Sequence, residues 1–195
     1  MHTRIELPVP DEAALAHSRR LSQMIAARIE AAGGWIDFAD YMDLALYAPG
    51  LGYYSAGAAK FGPAGDFVTA PEISPLFGRC LARACVPWLR AHPEAVILEP
   101  GAGSGALAAE LLTALERQGA LPARYLILEV SADLRERQHA ACARLPAPLR
   151  QRVHWLDTLP AEPLAALVVA NEVADARPVS RFVRHADGVL AEGVA

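Results

Sequence analysis

Seven residues near the middle of the chain, Glu99-Pro100-Gly101-Ala102-Gly103-Ser104-Gly105, constrain the fold more than any other stretch. They follow directly on the apolar run Ala95–Leu98, and a helical pattern from about Ala106 to Gln118 comes after them. A chain that leaves a buried parallel strand and turns at once into a crossover helix needs glycines at the bend. Glycines permit the turn and let a ligand come within contact distance of the backbone. The amino end of the following helix offers unpaired N–H groups and a partial positive charge, which suit an anionic group.

The same alternation continues downstream. Tyr125–Val130 reads as a second buried strand, with a helix expected from about Asp133 to Leu145. Arg152–Trp155 is a weaker strand, Leu164–Ala170 is a third strong apolar run, and Arg181–His185 with Val189–Val194 suggests a final hairpin around Asp187–Gly188. Strands alternating with helices imply right-handed crossovers and an α/β, doubly wound parallel sheet.

The first ninety or so residues read as helices instead. Asp11 is placed to cap a helix running toward Gly33–Gly34, with Leu21, Ile25 and Ile29 on one face. Asp37 caps a second, carrying Phe38, Tyr41, Met42, Ala45 and Leu46 at helical spacing and stopped by Pro49. A glycine-rich loop spans Gly50–Ala70, and Ser74–Pro75 then starts a helix with Phe77, Cys80, Leu81, Ala84 and Trp88 on one stripe. The expected organisation is a helical N-terminal extension over residues 1–92, with a lid-like loop, and a Rossmann-like domain over residues 93–195.

Composition removes several classes. Hydrophobic residues make up 53% and charged residues 21%, a globular balance. No unbroken apolar stretch of about 18 residues supports a membrane span, and the N-terminus lacks the layout of a secretory signal. The net charge of -4, with no basic stripe, argues against a nucleic-acid partner. A soluble cytoplasmic protein is expected. Cys80, Cys85 and Cys142 form no CxxC pair and read as buried free thiols, and six scattered histidines without HExxH predict no metal.

Candidate site residues cluster at the strand ends. Gly101, Ala102, Gly103 and Gly105 form the backbone cradle, and Gly101-x-Gly103-x-x-Ala106 also satisfies a dinucleotide fingerprint. An NAD-dependent oxidoreductase is therefore an alternative. Two features oppose it. Glu99 would repel a pyrophosphate but could receive the ammonium of the methionine part of S-adenosylmethionine, and the loop lies about a hundred residues into the chain. Glu129, with Val130 beside it, ends the second strand, where a carboxylate can accept both ribose hydroxyls of either cofactor. Trp155, Leu156 and Asp157 lie where an adenine ring is bracketed, although Trp155 is equally suited to a core. Asn171, Glu172 and Asp175 follow the fourth strand, at the mouth nearest a reactive methyl; Asn171 is also a common turn former.

With these residues in view, the chain resembles the MidA family, bacterial and mitochondrial proteins that include the arginine methyltransferase assisting respiratory complex I assembly. The resemblance runs from about Gly34 to Phe182. It rests on Tyr41-Met42 with Ala45-Leu46-Tyr47, Gly52-Tyr53-Tyr54, Phe61-Gly62, the run Gly65 to Ser74 (GDFVTAPEIS) and Phe77-Gly78. The Glu99–Gly105 loop follows, then Glu129-Val130-Ser131 with Leu134-Arg135 and Gln138, and finally Asn171-Glu172 with Asp175-Ala176 and Pro178-Val179. It implies a class I methyltransferase fold, S-adenosyl-L-methionine as donor, and a helical N-terminal extension. It also implies that Asp66, Phe67 and Thr69 cover the cofactor and that Glu72 lies near the active site; an ordinary packed connector is the alternative for that loop.

The expected chemistry is methylation of a protein arginine, with a respiratory complex I subunit as candidate partner. A guanidinium is always protonated, so its nitrogens are poor nucleophiles until carboxylates hold the planar group and localise its charge. Glu172 is the first choice for that clamp, with Asp175 or Glu72 as its partner and Asn171 beside it. A non-catalytic assembly or scaffold protein is a further alternative. Members of the family run to about twice these 195 residues, so the sheet is expected to be truncated after about the fourth or fifth strand. Its open apolar edge would then favour association, a homo-oligomer included, and these residues alone are expected to be incomplete for catalysis.

Overall fold

A computed structural model of the chain describes residues 9–56 and 68–195. In chain order the elements are α1 (Glu12–Ala31), β1 (Ile36–Asp37), α2 (Phe38–Tyr47), α3 (Ala70–Ile73), α4 (Pro75–Ala91), β2 (Val96–Pro100) and α5 (Ala106–Arg117). They continue with β3 (Arg124–Leu128), α6 (Ala132–Cys142), α7 (Ala147–Arg150), β4 (Val153–Leu156), β5 (Ala166–Val168), β6 (Arg181–His185) and β7 (Gly188–Val194). These divide into two compact units, one holding residues 9–56 and 176–195, the other residues 68–175.

The first unit joins the two ends of the chain. Asp11 caps α1 by accepting from the Ala14 N–H at 2.7 Å, and Asp37 caps α2 by accepting from Asp40 N–H at the same distance. Both helices start where their capping residues place them. A two-residue strand escapes the pattern: β1 pairs antiparallel with β7, Ile36 opposite Val194, and β7 pairs with β6 in the expected hairpin. Gly193 is required there, because a Cβ would lie 2.5 Å from the Trp35 ring.

The second unit is built on a parallel four-stranded sheet, order β4-β3-β2-β5. Alternation in β2 sends Ile97 into the main core with Tyr125, Ile127 and the apolar stripes of α4 and α5, while Val96 and Leu98 join Leu126 in a smaller cluster. On α5, Leu107, Leu111 and Leu115 recur at four-residue spacing and are all buried.

Several sequence expectations need correction. The buried stripe of α4 is Gly78, Ala82, Cys85, Val86 and Leu89; Cys80 and Ala84 are exposed, and Phe77, Leu81 and Trp88 pack at the margin. A stripe about 100° wide admits neighbouring registers, and the small Gly78 lets α4 approach Glu110 of α5 closely enough to select this one. Cys80 is therefore an exposed thiol, while Cys85 and Cys142 are buried and all three are free. The short helix α3 lies at the end of the stretch read as loop, and the helix expected to reach Leu145 ends at Cys142, with α7 following. The apolar run Leu164–Ala170 yields only the three-residue β5, whose Val168 is exposed because β5 is an edge strand. No helix among the described residues is long and apolar enough to cross a membrane. Among those residues, no group of three His, Cys, Asp or Glu could hold a metal ion.

Candidate cofactor and active site

Because β2 to β5 run parallel, their carboxyl ends open at one edge of the sheet. The chain steps from β2 to β3 to β4 on one side and then places β5 on the other. The reversal makes the end of β2 a switch point, where open sheets of this kind bind ligands. The glycine loop lies there. Gly101, Gly103 and Gly105 have φ of 63°, 55° and 84°, a backbone region costly for other residues. The Gly101 N–H donates to the Leu128 carbonyl at 3.0 Å, tying the loop to the end of β3. A Cβ on Gly103 would meet nothing within 4 Å, so this part of the backbone is open to a ligand.

Glu99 is the most deeply placed acid of the site, 2% exposed. Its Oε2 accepts the Tyr125 hydroxyl at 2.7 Å. Burial pushes its carboxyl up to about 7, against the opposing pull of the Tyr125 hydrogen bond. A carboxyl poised there is ionised readily by an arriving cation.

Glu129 is also buried, 6% exposed. One oxygen accepts from the Ser131 N–H at 2.9 Å and the other from Gln138 Nε2 at 3.0 Å. A carboxylate has about four lone-pair directions, so one per oxygen remains for a ribose hydroxyl. Trp155 stands half-buried at the end of β4, its ring stacked on His139 at 3.7 Å between centroids and its indole N–H given to Gln138 at 3.0 Å. His139 stacks on the ring, and the Trp155 side chain also packs against the main core. Val130 is 91% exposed. Arg135 engages the other two residues expected to bracket an adenine, donating to Asp157 at 2.8 Å and to the Leu156 carbonyl at 3.0 Å.

The segment after β5 meets the glycine loop through Val173, whose Cγ2 lies 3.1 Å from where a Gly101 Cβ would stand. Flanking Val173, Asn171 is half-buried, while Glu172 and Asp175 are exposed. Glu172 is the one non-glycine residue with positive φ, 53°, among the described residues. Glu72 on α3 accepts the Ser104 hydroxyl, which places it against the same loop. Thr69 occupies the N-cap position of α3, and Asp66 and Phe67 lie outside the described residues. The structure thus gathers Glu99, the glycines, Glu129, Trp155 and Glu72 around the end of β2. No hydrogen bond among the described residues joins Glu172 to Asp175 or to Glu72.

Four contributors carried no assigned role in the sequence reading: Tyr125, Ser104, Arg135 and Gln138. Gln138 alone left a signal, since Leu134, Gln138 and Cys142 form an i, i+4, i+8 stripe and a polar residue there has to find buried partners.

Against known proteins, the family described as "Putative S-adenosyl-L-methionine-dependent methyltransferase" matches residues 80–195. The mitochondrial protein arginine methyltransferase NDUFAF7 of Danio rerio is 28% identical over 88% of this chain and 46% of its own length. The mouse protein of that name, from Mus musculus, is 31% identical over 76% of this chain and 39% of its own. A crystal structure of a Burkholderia thailandensis protein bound to S-adenosyl-homocysteine superposes with a TM-score of 0.83 at 47% identity, covering 96% of this chain and 49% of that one. The fold is accordingly the α/β fold of class I methyltransferases, and this chain spans about half the length of the relatives it matches.

Proposed function

Since the chain belongs to that methyltransferase family, we propose that it forms the cofactor-binding part of an S-adenosyl-L-methionine-dependent enzyme that methylates protein arginine. One observation carries the reading: a buried carboxyl, Glu99, sits beneath a glycine loop whose neighbouring strand ends in a second buried carboxylate, Glu129. An amino-acid ammonium suits the first and a ribose the second. The names of the Danio rerio and Mus musculus relatives support arginine as acceptor, and the ligand of the Burkholderia thailandensis protein supports the donor. The resemblance to the MidA family points to a respiratory complex I subunit as the methylated protein.

When bound, the cofactor supplies an electrophilic methyl on a sulfonium. The chain's own residues do the rest. Glu99 would hold the ammonium, the open backbone at Gly103 would lie along the ligand, Glu129 would accept from the ribose, and Trp155 would border the adenine. Beyond β5, Glu172 takes the guanidinium, draws its positive charge away from the attacking nitrogen and accepts a proton as that nitrogen becomes substituted. Glu72 or Asp175 supplies the second carboxylate of the clamp. Asn171 stands beside the clamp, and the family resemblance assigns Thr69 to covering the cofactor. Much of the rate then comes from alignment.

The test is transfer of labelled methyl from S-adenosylmethionine to an arginine-containing peptide, with acid hydrolysis to identify methylarginine. Label on any other residue contradicts the acceptor; label nowhere, with intact cofactor binding, favours a non-catalytic role.

A further inference from the structure

Gln138 is fully buried, 0% exposed, and uses both its donor hydrogens and one of its two acceptor directions inside the fold. Its Nε2 donates to the Gly103 carbonyl and to Glu129 Oε2, each at 3.0 Å, and its Oε1 accepts the Trp155 indole N–H at 3.0 Å. The three partners belong to three different strand ends: the glycine loop after β2, the carboxylate after β3, and the aromatic side chain of β4. No other side chain among the described residues bridges all three.

The amide has only one workable orientation. Turned over, its oxygen would face a carbonyl and a carboxylate, and its NH2 would face the indole N–H. Each buried group so orphaned costs about 1–3 kcal/mol. Backbone packing holds the amide in place as well, because a Cβ on Gly105 would stand 3.0 Å from Gln138 Cα. The glycine therefore lets α6 press against the loop at the height that Gln138 needs. Glu129 is pinned from its other side by the Ser131 N–H, so neither oxygen is free to swing.

Resting on the cofactor reading above, we infer that Gln138 is a positioning residue for cofactor binding. It sets the loop, the ribose carboxylate and the adenine platform in one geometry before the ligand arrives. A pocket fixed in advance does not spend binding energy on ordering itself. Gln138 touches no reacting atom, so its contribution lies in affinity and not in the transfer step. The neutrality of the amide matters too: a glutamate there would set a second carboxylate at hydrogen-bonding distance from Glu129.

The experiment compares Gln138→Met, which keeps length and flexibility, with Gln138→Glu, which keeps shape, in the full chain. S-adenosylhomocysteine affinity is read by calorimetry below the unfolding midpoint of each variant, alone and combined with Glu129→Gln. Q138M is expected to weaken binding about 10- to 100-fold, equivalent to roughly 1.4–2.8 kcal/mol. Q138E is expected to weaken it at least as much. The Q138M/E129Q pair should lose less than the sum of the two single variants, since part of the effect of Gln138 runs through Glu129 and the rest through Gly103 and Trp155. In any transfer assay the cofactor KM rises while kcat at saturation stays within about threefold. Wild-type affinity in a folded Q138M or Q138E, or strict additivity with E129Q, overturns the positioning role while leaving the cofactor reading intact. Absence of binding by the wild type overturns the cofactor reading, and this role with it.

Discussion

Tyr125 donates its hydroxyl hydrogen to Glu99 across 2.7 Å in the core of the parallel-sheet unit, where both side chains are shut off from water. The bond is the one interaction that favours the ionised acid, against the burial that raises its carboxyl to about 7. If Glu99 receives the ligand's ammonium, binding must draw a proton off it at lower pH. Affinity for S-adenosylhomocysteine should therefore rise with pH, by up to about tenfold per unit below the Glu99 midpoint, and level off above it. Tyr125→Phe removes the favouring bond and should move the rise to higher pH. Calorimetry at several pH values, in buffers of different ionisation enthalpy, reads both the affinity and the released proton.

Stability carries the opposite sign. The folded carboxyl of Glu99 is raised from 4.5 to about 7, so between those values the folded state holds a proton that the unfolded chain has lost. That stabilisation is complete below 4.5 and is lost as pH rises through about 7. The change is about 3 kcal/mol at most. Denaturant midpoints should fall between mildly acidic and mildly alkaline buffer, and Glu99→Gln should flatten the fall.

The glycines of the loop should not be equivalent. Gly105→Ala forces a positive φ on alanine and sets its Cβ 3.0 Å from the Gln138 backbone, where nothing can give cheaply. Gly103→Ala meets no neighbour within 4 Å and has only its φ of 55° to accommodate. A cost near 1 kcal/mol is expected for Gly103→Ala and at least about twice that for Gly105→Ala. Yet Gly103→Ala should still weaken ligand binding, because its methyl occupies the space left for the ligand. Paired unfolding and binding measurements on the two variants separate the effects.

Glu172 adopts a φ of 53° that glycine would adopt freely. Backbone strain of this kind, about 1 kcal/mol, is retained at functional positions. Glu172→Gly should leave the unfolding midpoint unchanged or higher while abolishing the proposed arginine methylation. Glu172→Gln should lower turnover far more than cofactor affinity. Equal losses in both quantities would make Glu172 structural instead.

Much of this was legible in the sequence because it is local. Asp11, Asp37 and Ser74 each announce a helix start, and the glycine loop announces the end of β2. The glycines announce the turn, and three of them take positive φ in it. What stayed hidden depends on distant partners. Pairing of β1 with β7 joins Ile36 to Val194, and no pattern in a two-residue strand could reveal it. Glu99 could be read as an acid near the ligand, but neither its burial nor the opposing hydrogen bond from Tyr125, 26 residues away, leaves a local pattern. Trp155 was open between core and site, and the structure packs it against the main core while stacking it on His139 and giving its N–H to Gln138. Of the two carboxylates proposed to partner Glu172, Glu72 is fixed to the loop, by Ser104.

The most direct measurement is a calorimetric titration of the chain with S-adenosylhomocysteine beside one with NADH, repeated on Glu129→Gln. Saturable heat with the thioether nucleoside, little or none with the dinucleotide, and a clear loss of affinity in the variant are the expected results. Heat with NADH alone, or S-adenosylhomocysteine binding indifferent to Glu129, would contradict a pocket that holds an amino-acid end at Glu99 and a sugar at Glu129.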